Sequence, residues 1–133
     1  MRVYYFIATL SWSVEAAELR DRQLAVYVLW VPISKLDTRA RAEKAAALVS
    51  DPRVRHFWTA DLEIAKAFAG PLGLAHGPAW DVYLVYRPGV QWQAGVPAPD
   101  TYMHRLGDDL PRERHFNALK LADEVAEIAS RQR

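Results

Sequence analysis

The chain of 133 residues contains no cysteine. Disulfides, cysteine-ligated zinc, iron–sulfur clusters and a thiol nucleophile are therefore excluded for it. A surplus of either charge is also missing: 17 Lys and Arg stand against 16 Asp and Glu, a formal net charge of +1. Binding through phosphate neutralisation, or to membranes through a polybasic segment, needs a basic excess. Neither a nucleic-acid nor a membrane partner is expected. No apolar run approaches the roughly 20 residues that span a bilayer. G-x-G-x-x-G, Walker A and H-E-x-x-H patterns are absent, and Gly70, Gly73 and Gly77 lack the spacing of a phosphate cradle, so no cofactor is expected.

What is present is enough for a core. The chain is 51% hydrophobic and 25% charged, a composition that folds. Val3 to Ala8 and Ala25 to Val31 are nearly continuous β-branched and aromatic runs, the pattern of strands buried on both faces. Met1-Arg2 before the first run looks like the start of a secretory leader, with Val14-Glu15-Ala16 at a cleavage-like spacing. The run is short, holds Tyr4 and Tyr5 and gives way directly to polar residues, so it reads as a first strand of a soluble, cytoplasmic protein.

Between the two strands, Ser13 to Arg22 reads as a helix, with Ser13 at the N-cap and Glu15 in the first turn. Parallel strands need such a crossover. Thr38 to Val49 is an Ala-rich helix capped by Asp37 or Thr38 and broken at Asp51-Pro52. Val54 to Trp58 is a short strand. Thr59 caps a helix running to about Ala69, with a stripe of Leu62, Ala65 and Phe68 and a stop at Gly70-Pro71. Asp81 to Tyr86 is a strong strand, Arg87-Pro88-Gly89 a turn, and Val90-Gln91-Trp92 a returning hairpin strand. Residues 94–100 form a loop, and Thr101 to Leu106 an edge strand. The last helix starts at Asn117, with Phe116 stapled to Leu121 and a stripe continuing through Val125 and Ile128. The order is β-α-β-α-β-α-β-β-α in one α/β domain over residues 1–133.

At the first strand-to-helix junction stands Trp12-Ser13-Val14-Glu15-Ala16. It resembles the Trp-Cys-x-x-Cys motif of the thioredoxin-like family, with Ser13 and Ala16 at the two cysteine positions. Gly77-Pro78-Ala79, just ahead of the strand at Asp81, is similar to the family's cis-proline loop. Residues 51–92 likewise resemble its later half. The resemblance covers almost the whole chain. It implies a three-layer α/β/α sandwich with a mixed sheet, a C-terminal hairpin and a C-terminal helix. It also implies a site at the rim where Trp12, Ser13, Val14 and Glu15 meet Gly77 and Pro78.

The departures from the family decide the chemistry. Serine keeps the position and the helix dipole, but its hydroxyl is a far weaker nucleophile and cannot exchange disulfides. Ala16 leaves nothing to resolve a mixed disulfide. No catalytic residue is assigned, and the expected role is a redox-inactive module that binds a protein or peptide. The alternative is a cysteine-stripped or mutated form of a thiol-disulfide oxidoreductase or redox sensor. A third reading is an oligomer-forming domain that pairs through an aromatic edge.

Other candidate residues read as structural. His56, His76, His104 and His115 lack metal-ligand spacing, so no metal is expected; His56 and His104 belong to strand faces and His115 to the surface. Asp108-Asp109 belongs to a solvated turn, and Arg39 to Lys44 to a solvated helix face. The aromatic load of Trp58, Trp80, Trp92, Tyr83, Tyr86 and Tyr102 is expected to pack rather than to stack on bases.

Overall fold

The computed structural model describes residues 2–8 and 24–131. The expected helix from Ser13 to Arg22, and with it Trp12, Ser13, Val14, Glu15 and Ala16, lies outside the described residues.

Five strands form one mixed sheet. β1 (Arg2–Ala8), β2 (Leu24–Trp30) and β3 (Val54–Trp58) run parallel. β4 (Val82–Val85) is antiparallel to β1, and β5 (Thr101–His104) is antiparallel to β4. The spatial order is β3-β2-β1-β4-β5. Directions then place the carboxyl ends of β1, β2, β3 and β5 and the start of β4 at one end of the sheet. There Ile7 is opposite Val82, Val82 opposite His104, Ala8 opposite Trp30, and Trp30 opposite Trp58.

Helices cover both faces, as strands without a polar side require. α1 (Arg39–Ala46) and α3 (Ala118–Ser130) cover one face: Val26, Val28, Trp30, Tyr83, Val85 and Met103 pack there with Ala42, Leu121 and Val125. α2 (Glu63–Leu72) covers the other, where Leu29, Val82 and Leu84 meet Ala65, Phe68 and Leu72. All four residues of β4 are buried. No helix among the described residues is long and apolar enough to cross a membrane.

The caps follow from local hydrogen bonding. Thr38 Oγ1 accepts from the Arg41 N–H, while Asp37 serves the preceding turn by accepting from the Ser34 N–H at 2.7 Å. The helix ends sooner than expected, at Ala46. Asn117 Oδ1 accepts from the Lys120 N–H at 2.9 Å, as its position before the apolar stripe predicts.

At α2 the expectation is corrected at both ends. The Thr59 hydroxyl donates to the Asp61 carbonyl instead of capping, and Asp61 Oδ1 accepts from the Glu63 N–H at 3.0 Å, so the helix begins at Glu63. Gly70-Pro71 does not stop it. Gly73 does, at a left-handed φ of 72°: its N–H donates to the Gly70 carbonyl and that of Leu74 to the Ala69 carbonyl, a Schellman ending.

The tight hairpin at Pro88-Gly89 is also corrected. Val90-Gln91-Trp92 is not a strand, and the chain returns only at Thr101. Trp92 is drawn instead onto the core, its ring 5.8 Å from Phe68 and 5.3 Å from Tyr86. The Tyr86 hydroxyl donates to the Pro97 carbonyl at 2.9 Å, and Asp100 closes the loop by accepting from both the backbone and the guanidinium of Arg87. An aromatic wedge held between two rings outweighs a few ladder hydrogen bonds.

Candidate functional site

The rim at the carboxyl ends of the parallel strands is where open α/β sheets place their ligands. Two features occupy it. One is the loop from Leu74 to Asp81 that leads into β4. Ala79 is buried, and its N–H donates to the Ala65 carbonyl at 2.9 Å, which ties the loop to α2. Gly77 adopts a φ of 74° and Asp81 a φ of 48°. A positive φ outside glycine is uncommon and costs on the order of 1 kcal/mol, so the Asp81 turn is a place where the fold holds an unfavourable backbone. The Asp81 carbonyl accepts from the Arg105 N–H at 3.0 Å and joins the loop to the end of β5.

Gly77 is exposed and Pro78 half-buried at this rim. No described peptide bond is cis, so Pro78 follows a trans bond and the cis proline implied by the resemblance is not found. The two positive-φ residues bend the loop without it, and trans is the lower-energy state of an X–Pro bond. Of the six binding residues read from the sequence, Gly77 and Pro78 lie in the loop that leads into β4. Trp12, Ser13, Val14 and Glu15 are outside the described residues. The chain leaves β1 at Ala8 beside this loop, because Ile7 pairs with Val82.

The second feature is a pocket of about 140 Å³ between α1 and the ends of β2 and β3. Trp30 and Trp58 end neighbouring parallel strands, and Ala42 and Ala46 leave room above them on the helix. The Trp30 indole is buried and lies 6.0 Å from the His56 ring at an interplanar angle of 20°. Trp30 Nε1–H donates to His56 Nδ1 at 3.1 Å. That bond assigns the His56 proton to Nε2, which is buried and has no hydrogen-bond partner. Burial lowers the His56 pKa below its ordinary 6.5; the nearby Val49 carbonyl pulls the other way and does not offset it. At the mouth, Arg39 Nε donates to Glu43 Oε1 at 2.9 Å, one turn apart on an exposed face.

This pocket was not singled out in the sequence. Its signal was there: aromatics ending two parallel strands, and Arg39, Ala42, Glu43 and Ala46 at helical spacing. Which helix face meets which strand end is a matter of packing.

The remaining histidines serve structure or surface. His104 is fully buried; its Nδ1 accepts from the Leu106 N–H at 3.1 Å and its Nε2 donates to the Pro111 carbonyl at 2.7 Å. With both nitrogens engaged it has no lone pair for a metal, although the exposed His115 lies 5.8 Å away, ring to ring. Among the described residues no three metal-ligating side chains come together. Tyr83 packs on Phe116 at 4.3 Å, and Arg105 lies over the Phe116 ring at 4.6 Å, so this part of the aromatic load is core and cation–π contact.

No protein-family model, no curated protein and no solved structure matches the chain.

Proposed function

We propose that this chain is a thioredoxin-like domain without thiol chemistry that holds an extended protein or peptide segment at the rim beside Gly77 and Pro78. One observation carries the reading. β1 ends next to the start of β4, so the chain that continues toward Trp12 sets out from the end of the sheet where the Gly77–Pro78 loop arrives. That supports a rim shared by the two segments. Absence of cysteine removes exchange chemistry and leaves recognition: Trp12 as an apolar anchor, loop backbone groups as hydrogen-bond partners. The trans bond at Pro78 departs from the family, and Gly77 and Asp81 supply the bend in its place.

Two experiments test this. A peptide selected from a random display library on the intact protein should bind the Trp12→Ala variant at least about tenfold more weakly, the loss of one aromatic anchor; unchanged affinity overturns the binding site. The double variant Ser13→Cys, Ala16→Cys should reduce a model disulfide with a dithiol reductant present, the parent serving as blank. A folded double variant with no activity above the blank overturns the thioredoxin frame.

A further inference from the structure

We propose that the pocket between α1 and the ends of β2 and β3 is a binding site for a small aromatic carboxylate. Its capacity suits a single ring: about 140 Å³, close to the roughly 150 Å³ of an apolar cavity that takes up benzene. Its lining suits a planar π-system, with the buried Trp30 indole, Phe57 and Trp58 from the strands and the methyl groups of Ala42 and Ala46 from the helix.

The polar groups around it set the sign of the ligand. His56 is committed to Trp30 through Nδ1 and its Nε2–H is closed off from solvent, so the ring serves as wall rather than as a donor to the ligand. Arg39 donates to Glu43 only through Nε, so both of its terminal nitrogens remain for another acceptor. Among the described residues the Trp58 indole N–H likewise has no acceptor. The surroundings are thus rich in donors. Their one charged acceptor, Glu43, is already matched by Arg39. A cationic ligand would leave the N–H groups unpaired and meet the guanidinium at the mouth. A ring carrying a carboxylate fills the apolar space and brings two acceptor oxygens to Arg39 in the fork geometry that guanidinium favours. Arg39 also stands in the first turn of α1, where the helix dipole adds to the attraction for an anion.

Sodium benzoate is the probe, followed by ligand-observed NMR on the intact protein. Cyclohexanecarboxylate controls for charge without a π face, and benzyltrimethylammonium for a ring with the opposite charge. Saturable benzoate binding is expected with a Kd on the order of 1 mM or tighter, several-fold tighter than cyclohexanecarboxylate. Arg39→Gln changes an exposed side chain and leaves the core alone; it should weaken benzoate about fivefold or more. Ala46→Leu, checked for a retained cooperative melt, should abolish binding by filling the pocket. No saturation up to about 10 mM, equal binding by the Arg39→Gln variant, or preference for the ammonium probe overturns the proposal.

Discussion

Glu124 ties α3 to the edge of the sheet, and replacing it with glutamine gives a sharp test of what holds that edge. Its Oε1 accepts from Arg114 Nη2 at 2.7 Å. Its Oε2 accepts from the Thr101 hydroxyl at 2.6 Å and from Arg114 Nη1 at 3.3 Å. Arg114 Nη1 also donates to Thr101 Oγ1 at 2.9 Å, so the three groups form a closed cycle. Both charged side chains are only about a fifth exposed, at 21% and 22%. Opposite charges some 4 Å apart attract by about 4 kcal/mol at an effective dielectric of about 20. Desolvation of both groups offsets much of this. The net loss for Glu124→Gln is expected at about 1–2 kcal/mol, measured by urea unfolding, or about 3–10 °C in Tm. The pH dependence follows from the carboxyl pKa. Burial alone would raise it, but the hydrogen bonds from Arg114 and Thr101 and the Arg114 charge outweigh burial and bring it below the ordinary 4.5. A carboxylate with a depressed folded pKa contributes stability above its unfolded value and loses it as pH falls through the folded value. The gap between parent and variant should therefore be constant near neutrality and close progressively below pH 4.5. A variant as stable as the parent at pH 7, or a gap that persists or widens on acidification, refutes this account.

Phe68→Ala should cost about 3–5 kcal/mol by chemical denaturation, because the ring is fully buried under the sheet and braced by Trp92. A loss under about 1 kcal/mol would mean the loop collapses into the space. His104→Ala should cost about 2–4 kcal/mol by leaving the Leu106 N–H and the Pro111 carbonyl without their partner; amide exchange at Leu106 reads the same loss directly, and unchanged protection there contradicts it. His56, with its folded pKa held below 6.5 by burial, contributes stability above that pH that is lost as pH falls through the folded value. An NMR titration should therefore place its midpoint below 6.5, and a midpoint above that would show the pocket to be wetter than the structure describes.

Local chemistry was legible where one residue decides the outcome. Asn117 capped the last helix as read, Val54 to Trp58 formed its strand without adjustment, and the unbroken run at β2 announced a strand covered on both faces. The ends of α2 were not legible. Thr59 and Asp61 are both plausible caps, and Pro71 is tolerated in a last turn closed by Gly73. The hairpin failed for a different reason. Pro88-Gly89 is a sound turn signal, but Trp92 finds more buried surface between Phe68 and Tyr86 than a ladder beside β4 would offer.

By itself, then, the sequence determined the mixed α/β class, most of the elements between Leu24 and Ser130, and the absence of thiol chemistry. These depend on hydrophobic period, capping residues and composition, which act over a few residues at a time. Only the tertiary structure decided the sheet order β3-β2-β1-β4-β5 and the trans bond at Pro78. It alone also brought Trp30, His56 and Trp58 together under Arg39 and Glu43. Those outcomes depend on which distant surfaces bury each other best. Such competition is settled by the whole core at once, and no local run of residues encodes it.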